Sequence, residues 1–87
     1  MTTGLEELGL APGERVRWRP REGARWVEGT VTGRERDGSI GLRDREGRAR
    51  ALPLERIEVA TTGRRGGRTW EPATERAART EQLGLFG

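Results

Sequence analysis

The side chains that carry most enzymatic chemistry are nearly absent from this chain of 87 residues. It has no histidine, cysteine, lysine or tyrosine, and its single serine, Ser39, has no base to activate it. The carboxylates stand among arginines, and a neighbouring guanidinium favours the charged carboxylate over the protonated form a general acid needs. Without cysteine there is neither a disulfide framework nor a thiolate metal site, and without histidine the commonest zinc ligand is missing. These residue types predict a protein that is not an enzyme, with no metal, no cofactor and no small-molecule substrate. Recognition chemistry remains, carried by arginine and by the tryptophans Trp18 and Trp26.

All 17 basic residues are arginine against 14 acids, for a net charge of +3. So uniform a choice resembles the bias of a GC-rich genome, which discounts arguments from arginine abundance. Arg15, Arg17 and Arg19 alternate with Val16 and Trp18, so they line the outer side of a first strand. Arg43, Arg45, Arg48 and Arg50 fall on a hairpin and its turn. Together these residues are candidates to grip the phosphates of DNA or RNA, each contact adding salt-sensitive affinity. Interleaved Glu28, Glu35, Asp44 and Glu46 support the other reading, cross-strand ion pairs that blunt sheet edges. Arg64, Arg65 and Arg68 sit among glycines and resemble an RGG-type segment that binds nucleic acid loosely, or an ordinary linker. Trp18 is expected in the core. Trp26, on the opposite face of its strand, is either a contact residue or packed against the N-terminal segment.

The elements that must position these residues are short. Residues 12–60 show turn signals at close spacing, the pattern of a small all-β unit. Strands are expected at Arg15–Arg19, Arg25–Gly33, Ser39–Arg43, Arg48–Leu52 and Ile57–Val59, with one helical turn at Pro53–Arg56. Asp37-Gly38 is the strongest hairpin signal and predicts a type I′ turn. Val16, Trp18, Val27, Val31, Ile40 and Leu42 point inward. Within residues 1–11, Leu5, Leu8 and Leu10 either dock on the β unit as a helical turn or fray. Residues 61–87 are expected to be a flexible Arg/Gly linker, a short helix from Glu71 to Gln82 with a Glu75 to Arg79 pair, and a terminal peptide. Met1–Leu8 has neither a basic nor an apolar leader region, and no apolar run approaches a membrane span, so a cytoplasmic protein with no membrane partner is expected.

Gly13-Glu-Arg-Val-Arg-Trp18, Trp26-Val-Glu-Gly-Thr-Val31, Asp37-Gly-Ser-Ile-Gly-Leu-Arg-Asp44 and Pro53-Leu-Glu-Arg-Ile57 together resemble the Tudor and SH3-like small barrels. That resemblance covers about half the chain and implies an all-β, five-stranded SH3-like barrel followed by a flexible, partly helical tail. The aromatic cage by which Tudor-type barrels read methylated side chains is not supplied here. Trp18 stands at one wall, but Val27 and Arg43 occupy the matching points, and a quaternary ammonium needs several π faces.

The terminal residues Gln82-Leu83-Gly84-Leu85-Phe86 look like the Q-L-x-L-F peptide by which bacterial replication and repair proteins hold the β sliding clamp of DNA polymerase. Every fixed position matches, and four specified residues fall together at a given site by chance about once in 10⁵. The resemblance implies that Leu85 and Phe86 fill an apolar subsite of the clamp, Leu83 a shallower shelf, and Gln82 the polar rim. Gly84 departs from the usual Ser or Asp and adds chain entropy. Two leucines and a phenylalanine at the end of a polar tail need a pocket somewhere, and the chain's own β unit is the other place for them.

Overall fold

The computed structural model describes residues 4–86, with side chains as far as residue 82. A 3₁₀ turn at Glu6–Leu8 leads into strands β1 (Arg15–Trp18), β2 (Val27–Arg34), β3 (Ile40–Asp44) and β4 (Ala49–Leu52). A second 3₁₀ turn, Leu54–Arg56, precedes β5 (Ile57–Thr62) and β6 (Arg68–Pro72), and helix α1 runs from Ala73 to Phe86. The strands form one antiparallel sheet in the order β4-β3-β2-β1-β5-β6.

Trp18 is fully buried on the inner side of β1, beside Val16. Val16 pairs with Gly29 of β2 and with Val59 of β5, so β1 is flanked on both sides by inward-facing partners. A Cβ at Gly29 would strike the Arg43 carbonyl oxygen and come within 2.7 Å of Trp18 Cη2, so the indole needs the space a side chain there would fill. Val31, Ile40, Leu42, Leu52, Ile57 and Val59 complete the sheet's contribution. The indole Nε1–H of Trp18 is buried without a hydrogen-bond acceptor among the described residues. Leaving it so costs on the order of 1–3 kcal/mol, offset by the apolar area the large ring buries.

Both chain ends close over this core. Leu5 and Leu10, flanking the first 3₁₀ turn, are buried, and so is Ala73 at the start of α1. Between Val31 and Gly33 the β2–β3 register slips by a bulge, and beyond it Arg34 pairs with inward-facing Ile40. Arg34 thereby reaches the N-terminal segment, donating to the Gly4 carbonyl at 3.3 Å and meeting Glu7 at 3.5 Å.

Three expectations are corrected. The sheet has six strands and is not closed, so it is a small antiparallel β fold rather than a five-stranded barrel. Residues 61–69, expected to be linker, form the end of β5, a turn and the start of β6, and Glu71 and Pro72, expected in the helix, end that strand, the helix running from Ala73 to Phe86 instead of ending at Gln82. The turn at Asp37-Gly38 is not type I′, because among the described residues only glycines have positive φ and Asp37 is not one of them. Instead Gly38 donates to the Glu35 carbonyl while Glu35 donates to that of Ser39, a tight turn with a left-handed glycine in fourth place. Asp37 accepts from the Ser39 hydroxyl at 2.6 Å and its amide at 2.9 Å, which holds its carboxyl below the usual value. The same backbone pattern recurs at Asp44–Arg48 with Gly47, and at Gly63–Gly67 with Gly66.

The seat of Trp18 is testable by contrast between two glycines of one strand. Gly29→Ala should cost about 1–3 kcal/mol through overpacking, whereas Gly33→Ala, where a Cβ meets nothing within 4 Å, should stay within about 0.5 kcal/mol. Chemical denaturation midpoints of the two variants measure this, and equal effects would contradict the packing described.

Candidate functional site

The outer face of the sheet is built by the alternation that fills the core. On β1, Arg15 and Arg17 point away from Val16 and Trp18, and Arg19 continues the row past the strand end. Arg17 lies between Glu28 of β2 and Glu58 of β5 in the register. Its Nε donates to Glu58 Oε1 at 2.8 Å, which fixes the guanidinium. That planar group sits 4.1 Å from the Trp26 ring centroid and 4.7 Å from that of Trp70. Trp70 reaches it across β5 because its partner there is the small Ala60. Arg19 also stacks over Trp26, at 4.4 Å, and Trp26 remains 36% exposed. Each such contact contributes about 0.5–1 kcal/mol at an exposed position.

Three hollows border this row of aromatic rings and guanidinium groups, the smallest, of about 270 Å³ between Trp26 and the β3–β4 turn, being lined by Glu28, Asp44, Arg45 and Glu46. Another, of about 480 Å³, is bounded by Trp26, Arg19, Arg21 and Arg56, with Glu22 and Glu55 at its edge. Arg56 is held there by donating to the Arg19 carbonyl at 2.7 Å. The third, of about 440 Å³, is lined by Arg15, Arg68, Thr61, Thr62, Ala60 and Gly66, with no carboxylate in its wall.

The arginines grouped from sequence divide between two faces. Arg43 pairs with Thr30 and belongs to the outer face, and Arg45 reaches Glu28 there at 3.2 Å. Arg50 pairs with inward-facing Leu42, which puts it on the opposite side at the exposed edge, and Arg48 is engaged by Glu46 at 2.7 Å. The second hairpin is therefore not one phosphate-gripping surface. Arg64 and Arg65 occupy the β5–β6 turn, and Arg68 begins β6 opposite Thr62. Cross-strand ion pairs occupy Arg15, Arg17 and Arg45; Arg19, Arg43, Arg64, Arg65 and Arg68 have no carboxylate within ion-pair reach among the described residues. Trp70, Arg21 and Arg56 were not singled out from the sequence. Trp18 is core, as expected, and stands on the other side of β1 from Trp26.

Of the tail residues, Gln82 is exposed at the end of the described side chains, while Leu83, Leu85 and Phe86 have side chains outside them. The start of α1 is anchored. Arg76 donates to Glu71 at 2.6 Å, to Glu14 at 2.8 Å and to the Gly9 carbonyl at 3.1 Å, joining helix, β6 and N-terminal segment. Gly9, at φ 71°, lies against Arg76 and Thr80 with no room for a Cβ. Arg79 turns to Glu71, at 2.9 Å, rather than making the expected pair with Glu75. Burial pushes the Glu71 carboxyl up, but hydrogen bonds and charge from Arg76 and Arg79 outweigh it and hold the group below the usual 4.5. Burial likewise acts to lower the Arg76 pKa, and its bonds to Glu14 and Glu71 raise it overall.

Among the described residues no group of histidine, cysteine, aspartate or glutamate is placed to hold a metal ion, and no helix is long and apolar enough to cross a membrane. No protein-family model matches the chain, and neither a curated protein nor a solved structure matches it.

The depressed Glu71 pKa makes the anchor acid-sensitive. A carboxyl whose folded pKa lies below its unfolded value stabilises above about pH 4.5, and that contribution is lost as pH falls through the lower folded value. Melting followed by circular dichroism should show the stability of the native protein falling as pH drops below about 4.5. Glu71→Gln should be about 1–3 kcal/mol less stable at neutral pH and show a flatter acid limb. A variant whose curve runs parallel to the native one would remove Glu71 from this role.

Proposed function

We propose that this chain is a non-enzymatic adaptor of DNA replication or repair, holding the β sliding clamp of bacterial DNA polymerase through Gln82, Leu83, Leu85 and Phe86. The observation that carries the reading is the agreement of all four residues with the fixed positions of the Q-L-x-L-F peptide. The position of Gln82 supports it, since this residue is exposed and follows the anchoring contacts of Arg76 and Arg79 with Glu14 and Glu71. The aromatic and arginine face of the sheet is the surface for a second partner. With β5 and β6 paired as a hairpin over 57–72 and α1 anchored by Arg76, the peptide is carried on a docked helix rather than a long flexible tether.

A tail whose apolar residues serve only to cap the chain's own sheet is the competing reading, and it predicts no clamp affinity. Fluorescence anisotropy or calorimetry with the purified clamp of the same organism should give binding in the micromolar range or tighter. The Leu85→Ala, Phe86→Ala double variant should abolish it. Phe86→Ala alone should leave the melting temperature unchanged, while Ile40→Ala, in the core, costs about 2–5 kcal/mol. Absence of clamp binding, or a large drop in melting temperature on Phe86→Ala, would return the tail to a structural role.

A further inference from the structure

We infer that the outer sheet face is a binding strip for single-stranded nucleic acid, with Trp26 and Trp70 as stacking platforms and Arg19, Arg15 and Arg68 as phosphate contacts. This rests on the sheet alone and goes beyond the clamp reading. The two ring centroids are each within 5 Å of the Arg17 guanidinium, so they stand no more than about 9 Å apart and share one fixed cation. Arg17 is the immobile member, held by Glu58, and acts as a spacer. Arg19 has no carboxylate partner among the described residues and covers Trp26 only by stacking, so it can turn to a phosphate and leave a ring face for a base. At the far end Arg68, with no carboxylate partner among the described residues, and Arg15, loosely paired with Glu28 at 3.9 Å, border a hollow lined also by the threonines Thr61 and Thr62 and by no acid.

Charge and shape narrow the ligand. Indoles alternating with arginines match a chain that alternates π faces with anions, which is how sequence-tolerant single-strand surfaces bind. A duplex keeps its bases stacked within the helix and offers these rings nothing. A methylated or free ammonium is repelled, because guanidinium groups already lie over both rings. An acidic peptide would satisfy the arginines but leave the indoles unused.

The test uses the full chain, with fluorescein-labelled oligo(dT) and oligo(rU) of twelve nucleotides, a duplex of the same length, and poly-glutamate, in about 50 mM salt. The clamp is absent, so failure here is separate from failure of the tail reading. The expected result is that a single strand binds at least tenfold tighter than the duplex or poly-glutamate and quenches tryptophan fluorescence. Tight binding of either strand supports the strip. Trp26→Ala and Trp70→Ala should each weaken binding about tenfold. Arg68→Ala should weaken it and lower the salt slope by about one. Arg36→Ala, the same charge change on the β2–β3 turn away from the strip, should matter less than twofold, and Trp26→Ala, outside the core, should remain folded with a cooperative melt only modestly below that of the native protein. No binding to any strand, equal binding to duplex or poly-glutamate, or indifference to both Trp26→Ala and Arg68→Ala would overturn the inference.

Discussion

Trp18 seated over Gly29 sets the arrangement on both sides of the sheet. A large indole on β1 can be buried only where β2 offers no side chain, and Gly29 is that place. Once the ring is seated, the β1–β2 register is fixed, and a slip by one residue would send Trp18 outward and an arginine into the core. The same register puts Arg17 opposite Glu28 and brings Trp26, one residue before β2, alongside the outer row of β1. The position of the outer face therefore follows from a packing constraint on the inner one.

A chain with 31% hydrophobic residues has few side chains to spare for its core, and the sheet alone does not close over them. Leu5, Leu10 and Ala73 come from opposite ends of the sequence to do so. Arg76 holds those ends together by meeting Glu14, Glu71 and the Gly9 carbonyl from one guanidinium, whose planar fork can engage several acceptors at once. The pairs are mostly buried, with Arg76 17% and Glu71 14% exposed, so removing one partner leaves a poorly solvated charge on the other.

The first four strands, the turn at Leu54–Arg56 and the inward residues were legible because period-two alternation and turn residues agree there. The β5–β6 hairpin was not, because Thr62 to Gly67 has no apolar alternation and its glycines resemble a flexible linker. A signal was nevertheless present: Glu35-Arg-Asp-Gly-Ser39, Asp44-Arg-Glu-Gly-Arg48 and Gly63-Arg-Arg-Gly-Gly67 share arginine in second place and glycine in fourth, and all three make the same turn. Arg48 and Arg50 were grouped with Arg43 by proximity in sequence, whereas strand pairing puts Arg50 beside Leu42 on the other face. Trp70 was invisible as a site residue for the same reason β6 was: its placement beside Arg17 depends on a strand whose partner lies between them.

β6 also decides how the two proposed surfaces relate. Trp70 turns outward to Arg17, while its neighbour Glu71 turns the other way to Arg76 and Arg79 of the helix. Two consecutive residues of one strand thus carry the sheet face and the anchor of the tail. A flexible linker between two binding elements gives an effective concentration that falls as the linker lengthens. Here the connection is the last two residues of β6, Glu71 and Pro72, and about two and a half turns of α1, so a clamp held at residues 82–86 and a strand of nucleic acid held at Trp70 would be kept at a fixed distance. Geometry rather than linker entropy would then decide whether both are engaged together, and Glu71, which ties the helix to β6 through Arg76 and Arg79, would set how firmly that geometry is kept.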